Sequence, residues 1–214
     1  MKVLVAGANG HTGRLLIQYL KQDGHEPYGM LRKEEQKPEL EKLGGIPVIA
    51  DLEGDVGHAV RGMDVVIFAA GSGSKTGPDK TTSVDRDGAI NLMKATEKTG
   101  TKKFIILSSF GAGRELGEPE KGNEGMYHYL KMKKEADEYL MSTGLDYTIV
   151  RPGGLTHDES TSKIKVGDTV ERGSVPRADV AKTMIAAIQE QNAYHKAFEM
   201  ISGDVQIEEA LKSL

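Results

Sequence analysis

Short apolar runs alternate with amphipathic stretches along almost the whole chain. Each run has the length of a strand, and most are followed by a segment with apolar residues three and four positions apart, the spacing of one helix face. This alternation predicts parallel strands joined by helices that cover both faces of a sheet. The predicted strands are Lys2–Ala6, Glu26–Leu31, Ile46–Ala50, Val65–Ala70, Lys103–Ser108, Asp146–Val150 and Ala197–Ile201. The predicted helices are Thr12–Asp23, Lys33–Leu43, Val56–Arg61, Val84–Lys98, Tyr127–Thr143 and Arg177–Gln191.

Two stretches break this alternation. Gly111–Gly125 contains five glycines, and Gly153–Ser174 is long and polar, with a candidate hairpin at Lys163–Val170. Loops of this length are typical of lids or binding loops, although both could be plain surface loops. With no repeat or linker in view, we predict one doubly wound α/β domain over residues 1–214, with a mostly parallel sheet. Its small substrate-side portion would lie at about 153–176 and 192–214.

A glycine-rich turn follows the first predicted strand and opens the first predicted helix. Glycines occupy its first, fourth and seventh positions, in the order Gly7, Ala8, Asn9, Gly10, His11, Thr12, Gly13. In a dinucleotide-binding βαβ unit the first glycine permits the turn, the second lets a pyrophosphate approach the backbone, and the third brings helix and strand together. Phosphates would bind the N–H groups at the helix start. The alternative is a tight turn with a purely structural role.

Composition excludes several classes of protein. The 214 residues carry a formal net charge of −4 and no cysteine, so disulfides and thiol catalysis are excluded and no basic surface indicates a nucleic-acid partner. No apolar run approaches the roughly 20 residues of a membrane span. The six histidines show no metal-ligand spacing. We therefore expect a cytoplasmic protein, a monomer or homodimer, that binds a small-molecule substrate without a metal.

Two positions bear on which nucleotide would bind. Arg32 follows the second strand, where an acidic residue would accept from the ribose 2′-hydroxyl of NAD and an arginine would meet the 2′-phosphate of NADP. Arg32 therefore favours NADP over NAD, unless it is a solvated residue at a helix start. After the third strand, Asp51 could accept from an adenine amino group while Leu52 packs on the ring, or Asp51 could simply cap the next turn.

Two tyrosine–lysine pairs follow the fifth strand, which ends in Ser108 and Ser109. In each pair, Tyr127 with Lys131 and Tyr129 with Lys133, the spacing of four puts both side chains on one helix face. A lysine beside a phenol favours the phenolate, so the tyrosine could exchange a proton with a substrate oxygen that a serine holds. The alternative is an ordinary surface helix.

Helix periodicity favours one of the two pairs. Tyr129 and Lys133 share a stripe with Met132, Ala136 and Leu140, and this apolar stripe should pack against the sheet. The other pair lies on the polar side. We therefore predict that Tyr129 and Lys133 border the ligand site.

The ends of two further strands could also contact a ligand. Ala70 and Gly71 close the fourth strand with small side chains, which would let a cofactor lie across it. The turn that follows the sixth strand could offer backbone groups to a nicotinamide carboxamide, or be only a proline-glycine turn. It consists of Pro152, Gly153, Gly154 and Leu155.

Taken together, these segments resemble the atypical short-chain dehydrogenase/reductases, the NAD(P)-binding proteins described as NmrA-like or as NAD-dependent epimerase/dehydratases. The resemblance spans nearly the whole chain and includes the glycine turn, the tyrosine–lysine helix, the stretch Gly144–Gly153 and the stretch Arg177–Ala181. It implies that the glycine turn holds the pyrophosphate, Arg32 the 2′-phosphate, and Asp51 and Leu52 the adenine.

The same resemblance implies catalytic roles. It assigns Tyr129 to proton transfer, Lys133 to the nicotinamide ribose, Ser108 or Ser109 to the substrate oxygen, and Pro152–Leu155 to the nicotinamide. Larger epimerases have a further substrate domain, whereas about 60 residues follow Pro152 here. We therefore predict an NADP-dependent oxidoreductase acting on a small carbonyl, alcohol or quinone-like substrate. The alternatives are an NAD(P)-dependent epimerase/dehydratase and a non-catalytic redox sensor.

Overall fold

The computed structural model describes residues 1–73, 77–119 and 121–214. The strands are β1 (Lys2–Ala6), β2 (Glu26–Leu31), β3 (Ile46–Ile49), β4 (Val65–Phe68), β5 (Lys103–Leu107), β6 (Asp146–Pro152), β7 (Gly154–Thr156), β8 (Lys163–Gly167), β9 (Ser174–Pro176), β10 (Lys196–Ser202) and β11 (Val205–Gln206). The α-helices are α1 (His11–Gln22), α2 (Lys37–Lys42), α3 (Gly57–Val60), α4 (Pro78–Lys80), α5 (Ala89–Thr99), α6 (Glu124–Met141), α7 (Arg177–Ala186) and α8 (Ile207–Lys212). A π-helical segment, Thr81–Gly88, joins α4 to α5. Among the residues described, every helix is too short or too polar to cross a bilayer.

Most of these strands form one sheet. In the described ranges its order is β3-β2-β1-β4-β5-β6-β10-β8-β11, and the neighbours from β3 to β10 are parallel while β8 and β11 are antiparallel additions. The order β3-β2-β1-β4-β5-β6 is that of dinucleotide-binding α/β domains. The prediction of a single α/β domain with a mostly parallel sheet is confirmed.

Helices bury both faces of the sheet. Val3 and Val5 of β1 pack in a core with α1, α7 and α8, whereas Leu4 and Ala6 pack in a second core with α3, α5 and α6. Because successive strand residues point to opposite faces, a strand covered on both sides needs apolar residues throughout. This explains the continuous apolar runs in the sequence.

The prediction of a hairpin at Lys163–Val170 is wrong. Instead, β8 extends the main sheet beside β10, with Ile164 fully buried in the core. The chain then bends away, and the backbone N–H of Val170 donates to the buried carboxylate of Glu199 at 3.0 Å. Burial of Ile164 and the bond to Glu199 therefore decide the course of this segment, and neither partner is adjacent in sequence.

Lys103 in β5 is a buried cation on the sheet. Its side chain lies with Nζ 2.9 Å from the ring centroid of Tyr194, without a hydrogen-bond partner among the residues described. Burial lowers the pKa of Lys103 from 10.5 to about 8, although Asp146 and Glu190 oppose this shift. Between about pH 8 and 10.5 the unfolded chain therefore binds more protons than the folded one, so the free energy of unfolding rises with pH across that window.

Lys103→Met is expected to raise the free energy of unfolding at pH 7 by roughly 1–3 kcal/mol, because each unit of pKa depression costs ~1.4 kcal/mol while the lysine is charged. Urea unfolding of wild type and variant at several pH values measures the difference, which should shrink as the pH approaches 10. A variant that is less stable than wild type at pH 7 would contradict this account.

Candidate functional site

The glycine turn joins β1 to α1 at the carboxyl edge of the sheet. Gly7 has φ of 82°, and a Cβ there would lie 2.6 Å from the backbone of Ala70, while a Cβ on Gly13 would overlap the carbonyl oxygen of Gly7. Both positions therefore require glycine. Gly10 is the N-cap of α1 and has no side chain, so no N-cap side chain accepts from the first N–H groups of α1. A helix start of this kind favours an anion such as phosphate.

Two cavities meet at this turn. The first, here called the β2-side cavity, has a volume of about 410 Å³, and the second, the α6-side cavity, about 630 Å³. They share Gly10 and residues 69–72 at the end of β4. Because of these shared residues, the two cavities form a continuous cleft along the strand ends.

Most predicted site residues line this cleft. The β2-side cavity is lined by Gly7, Asn9, Gly10, Arg32, Asp51, Leu52, Ala70 and Gly71. The α6-side cavity is lined by Gly10, His11, Thr12, Ala70, Gly71, Ser108, Tyr129, Lys133 and Leu155.

The other predicted residues pack behind the cleft or beside it. Gly13 permits the approach of α1 to β1. Ser109 lines neither cavity. The backbone from Pro152 to Gly154 is used within the protein, since Pro152 accepts from Phe110 and the next two N–H groups donate to Met200 and Gly173. Of the predicted turn Pro152–Leu155, therefore, Leu155 alone reaches the α6-side cavity.

Charged side chains surround the β2-side cavity. Arg32 is exposed at its wall, and Lys80, which sequence reasoning did not identify, lines it as well. Lys80 donates to Glu53 at 2.6 Å, and this contact, supported by Ser83 and the charge of Arg32, lowers the pKa of Glu53. Asp51 caps its own turn, accepting from the Glu53 N–H at 3.0 Å. Two cations thus face this end of the cleft.

Lys133 forms part of the wall of the α6-side cavity. It is buried, with Nζ 3.1 Å from Asp85 Oδ1, 3.2 Å from the carbonyl oxygen of Leu107 and 5.9 Å from the ring centroid of Tyr129. Burial alone would lower the pKa of Lys133, but the charges of Tyr129, Asp85 and Asp137 outweigh it and raise the pKa. By contrast, Lys131 is exposed. The structure therefore brings Tyr129 and Lys133 to the cleft and leaves Lys131 outside it.

Ser108 belongs to a second buried network behind the same cavity. Its hydroxyl donates to Asp137 Oδ2 at 2.8 Å, and Arg151 Nε donates to the same oxygen at 2.9 Å. Burial raises the pKa of Asp137, although Arg151 and Ser108 oppose the shift. Gly113 leaves room for this pair, because a Cβ there would overlap the guanidinium of Arg151. Because the Ser108 hydroxyl donates its proton to Asp137, its oxygen can still accept a hydrogen bond from a ligand in the cavity.

Comparison with known proteins identifies the chain. A family model described as NAD(P)H-binding matches residues 7–191, which include the glycine turn, Arg32 and α6. The chain belongs to this NAD(P)H-binding family. The resemblance to NAD(P)-binding proteins drawn from the sequence is thereby confirmed.

Among the proteins that this chain resembles, some are named as epimerases and others as oxidoreductases. Over the full length of both chains it is 43% identical to the Bacillus subtilis protein called "Uncharacterized sugar epimerase YhfK". Its fold matches a Bacillus halodurans structure called "Putative NAD-dependent epimerase/dehydratase", with a TM-score of 0.93 and 45% identity over all of both chains. It also matches the oxidoreductase ylbE of Lactococcus lactis, with a TM-score of 0.90 and 33% identity over 100% of this chain and 96% of the other. These names support an enzyme of oxidoreductase or epimerase type.

The residues of the cleft fit a bound NAD(P). The Cβ-free surface at Gly10 and the start of α1 suit a pyrophosphate, and the two cavities extend from that point in opposite directions. Arg32 and Lys80 suit a phosphate at one end. Metal binding has no comparable support, since the described residues contain no group of three or more acidic or imidazole side chains placed to hold a metal ion.

Sequence reasoning missed three buried charged residues near the site, Asp85, Asp137 and Arg151. A signal for two of them was present. Asp137 lies one turn after Lys133 on the stripe of α6 that packs against the sheet. Asp85 lies four positions before the buried residue Ala89 of α5, so it continues the buried face of that helix. A charged residue on an otherwise apolar stripe is seldom fully buried unless it is paired, so these positions marked a buried network.

Proposed function

We propose that this protein is an NADP-dependent oxidoreductase of the atypical short-chain dehydrogenase/reductase type, acting on a small carbonyl, alcohol or quinone-like substrate. The observation that carries the proposal is the convergence of Ser108, Tyr129 and Lys133 in one cavity that is continuous with the glycine turn. The oligomeric state, location in the cytoplasm and a substrate-side role for 153–176 and 192–214 stay predictions.

Each of these residues has a distinct role in the proposed reaction. When bound, the nicotinamide supplies or accepts the hydride. Tyr129 exchanges a proton with the substrate oxygen. When the substrate is an alcohol, Ser108 orients it by accepting from its hydroxyl group, and Lys133 holds the nicotinamide ribose. The apolar side chains of Met126 and Leu155 line the same cavity and would exclude water from the substrate.

The preference for NADP over NAD rests on charge at the β2-side cavity. Arg32 and Lys80 both line it, and Lys80 is already paired with Glu53. Arg32 is therefore the group best placed to meet a 2′-phosphate. An arginine suits this role because its planar guanidinium donates two parallel hydrogen bonds to phosphate.

Arg32→Ala is expected to weaken NADPH binding by roughly 10–100-fold, the equivalent of a charge-assisted contact of about 1.5–3 kcal/mol, and to leave NADH binding nearly unchanged. Nicotinamide fluorescence, measured as protein is added to each nucleotide, gives both affinities, and the chain contains no tryptophan to interfere. Lys33→Ala is the matched control, since Lys33 is an exposed neighbour outside the cleft. Equal losses for NADPH and NADH would contradict the 2′-phosphate assignment.

Epimerisation is the second candidate, because the Bacillus subtilis relative is named a sugar epimerase. An epimerase would recycle its bound nucleotide in each turnover, whereas a reductase consumes NADPH in proportion to product. Measuring NADPH consumption against product formation separates the two. Product formed without net NADPH loss would overturn the reductase proposal and leave the cofactor site intact.

A further inference from the structure

Asp85 is a buried carboxylate beside the α6-side cavity that neither the family resemblance nor the proposed reaction uses. It lies in the π-helical segment Thr81–Gly88, and it is 1% exposed although it lines the cavity. Departures from regular α-helix of this kind are frequent at functional sites. A buried carboxylate is costly unless charge or hydrogen bonds compensate it.

The two oxygens of Asp85 contact two different elements of the cavity wall. Oδ2 accepts from the backbone N–H of Ser72, which follows β4, at 3.0 Å. Oδ1 forms the ion pair with Lys133 of α6 at 3.1 Å. A Cβ on Gly71 would lie 3.3 Å from Oδ1, so the strand end passes close to this carboxylate. Asp85 thereby fixes the position of Lys133 relative to the β4 end.

Asp85 also cancels the charge of Lys133 inside the cavity. The other carboxylate near this lysine, Asp137, is committed to Arg151 and Ser108. Without Asp85, the buried ammonium would therefore lose its paired carboxylate beside the nicotinamide end of the cleft. An oxidised nicotinamide carries a positive charge and the reduced form carries none, so such an ammonium would repel the oxidised form alone.

We propose that Asp85 is a positioning residue that neutralises Lys133 and so allows the α6-side cavity to accept both the oxidised and the reduced nicotinamide. The proposal rests on the proposed function, which places the nicotinamide half of NADP in this cavity. It makes the ratio of the two affinities, rather than either affinity, the quantity that Asp85 controls.

The test is a charge cycle on Asp85 and Lys133. NADPH affinity is measured by nicotinamide fluorescence and NADP⁺ affinity by competition against NADPH. Asp85→Asn is expected to weaken NADP⁺ relative to NADPH by about 10-fold, as expected for one uncompensated charge at short range in a medium of intermediate dielectric. Lys133→Met, which leaves the carboxylate alone, should shift the ratio in the opposite direction. The double variant should return the ratio toward the wild-type value, even if both nucleotides bind more weakly.

Two controls separate charge from structural damage. Asp87→Asn removes an exposed carboxylate of the same segment, which pairs with Arg86, and it should leave the ratio unchanged. Adenosine 2′,5′-bisphosphate, which lacks the nicotinamide half, should bind every variant with wild-type affinity. If Asp85→Asn does not fold, Lys133→Met still gives its shift of the ratio, and the double variant still tests whether that shift is reversed.

The outcomes distinguish this inference from the proposed function. A wild-type protein that binds both nucleotides, with variants that leave the ratio unchanged, would overturn the role of Asp85 alone. A shift that persists unchanged in the double variant would also overturn it, because the effect could not then pass through the charge of Lys133. A wild-type protein that binds neither nucleotide would overturn the proposed function itself.

Discussion

Tyr129→Phe is expected to lower kcat by about 10²–10⁴-fold, the usual contribution of a positioned proton donor or acceptor, while NADPH affinity stays close to that of the wild type. Removing the hydroxyl takes away the proton that Tyr129 would exchange with the substrate oxygen but leaves the ring in place against the cavity. Steady-state turnover with a carbonyl or quinone compound found by screening gives kcat, and nucleotide fluorescence gives the affinity.

Tyr127→Phe is the matched control for this substitution, since it removes the same hydroxyl two positions earlier on α6. Tyr127 pairs in sequence with Lys131, which is exposed, and Tyr127 is absent from the cavity lining. It should leave kcat nearly unchanged. A large loss for Tyr127→Phe and none for Tyr129→Phe would reassign the proton transfer. If neither variant loses turnover, the tyrosine hypothesis is wrong.

Arg151→Met is expected to reduce the free energy of unfolding by about 3–5 kcal/mol, because removing one partner of a buried ion pair leaves the other charge uncompensated. Asp137 is fully buried and would keep the Ser108 hydroxyl as a hydrogen-bond donor at 2.8 Å. A loss of that size is a large part of the 5–15 kcal/mol that typically holds a domain folded. Urea denaturation at neutral pH measures it.

The double variant Arg151→Met with Asp137→Leu tests the cause of that loss. Replacing both members of a buried pair by apolar residues is often neutral or even stabilising, so the double variant should be more stable than Arg151→Met alone. Additive losses would show instead that Arg151 stabilises the fold mainly through other contacts, such as its packing against Gly113.

Local patterns predicted the fold and the glycine turn at the start of the candidate site. The positive φ of Gly7 and the close approach of Gly13 to Gly7 are local features and agree with the sequence-based roles, whereas the approach of Gly7 to Ala70 is a long-range contact. The stripe on α6 likewise distinguished Lys133 from Lys131, because helix periodicity alone decides which face is buried. The burial of Lys133 agrees with this, while the catalytic roles stay predictions.

The partners in the buried ion pairs could not be predicted from local patterns. Asp137 and Arg151 meet only because α6 packs across β6, and the pairing of Asp85 with Lys133 depends on two helices that are distant in sequence. The signal at Asp85 was also weakened by an error in the predicted helix boundary. The predicted helix began at Val84, where an acidic residue is ordinary in a first turn, whereas the helical run in the structure already begins at Pro78.

The two ion pairs of α6 have a mechanical consequence for the helix that carries the site. Lys133 and Asp137 are one turn apart, and their partners belong to different parts of the domain, one in the segment before α5 and the other in β6. Apolar side chains alone would tolerate a small slide or rotation of α6, since contacts among such residues are not directional. A rotation by one residue, about 100°, would separate both pairs at once. The two buried ion pairs therefore fix the orientation of α6, and with it the position of Tyr129.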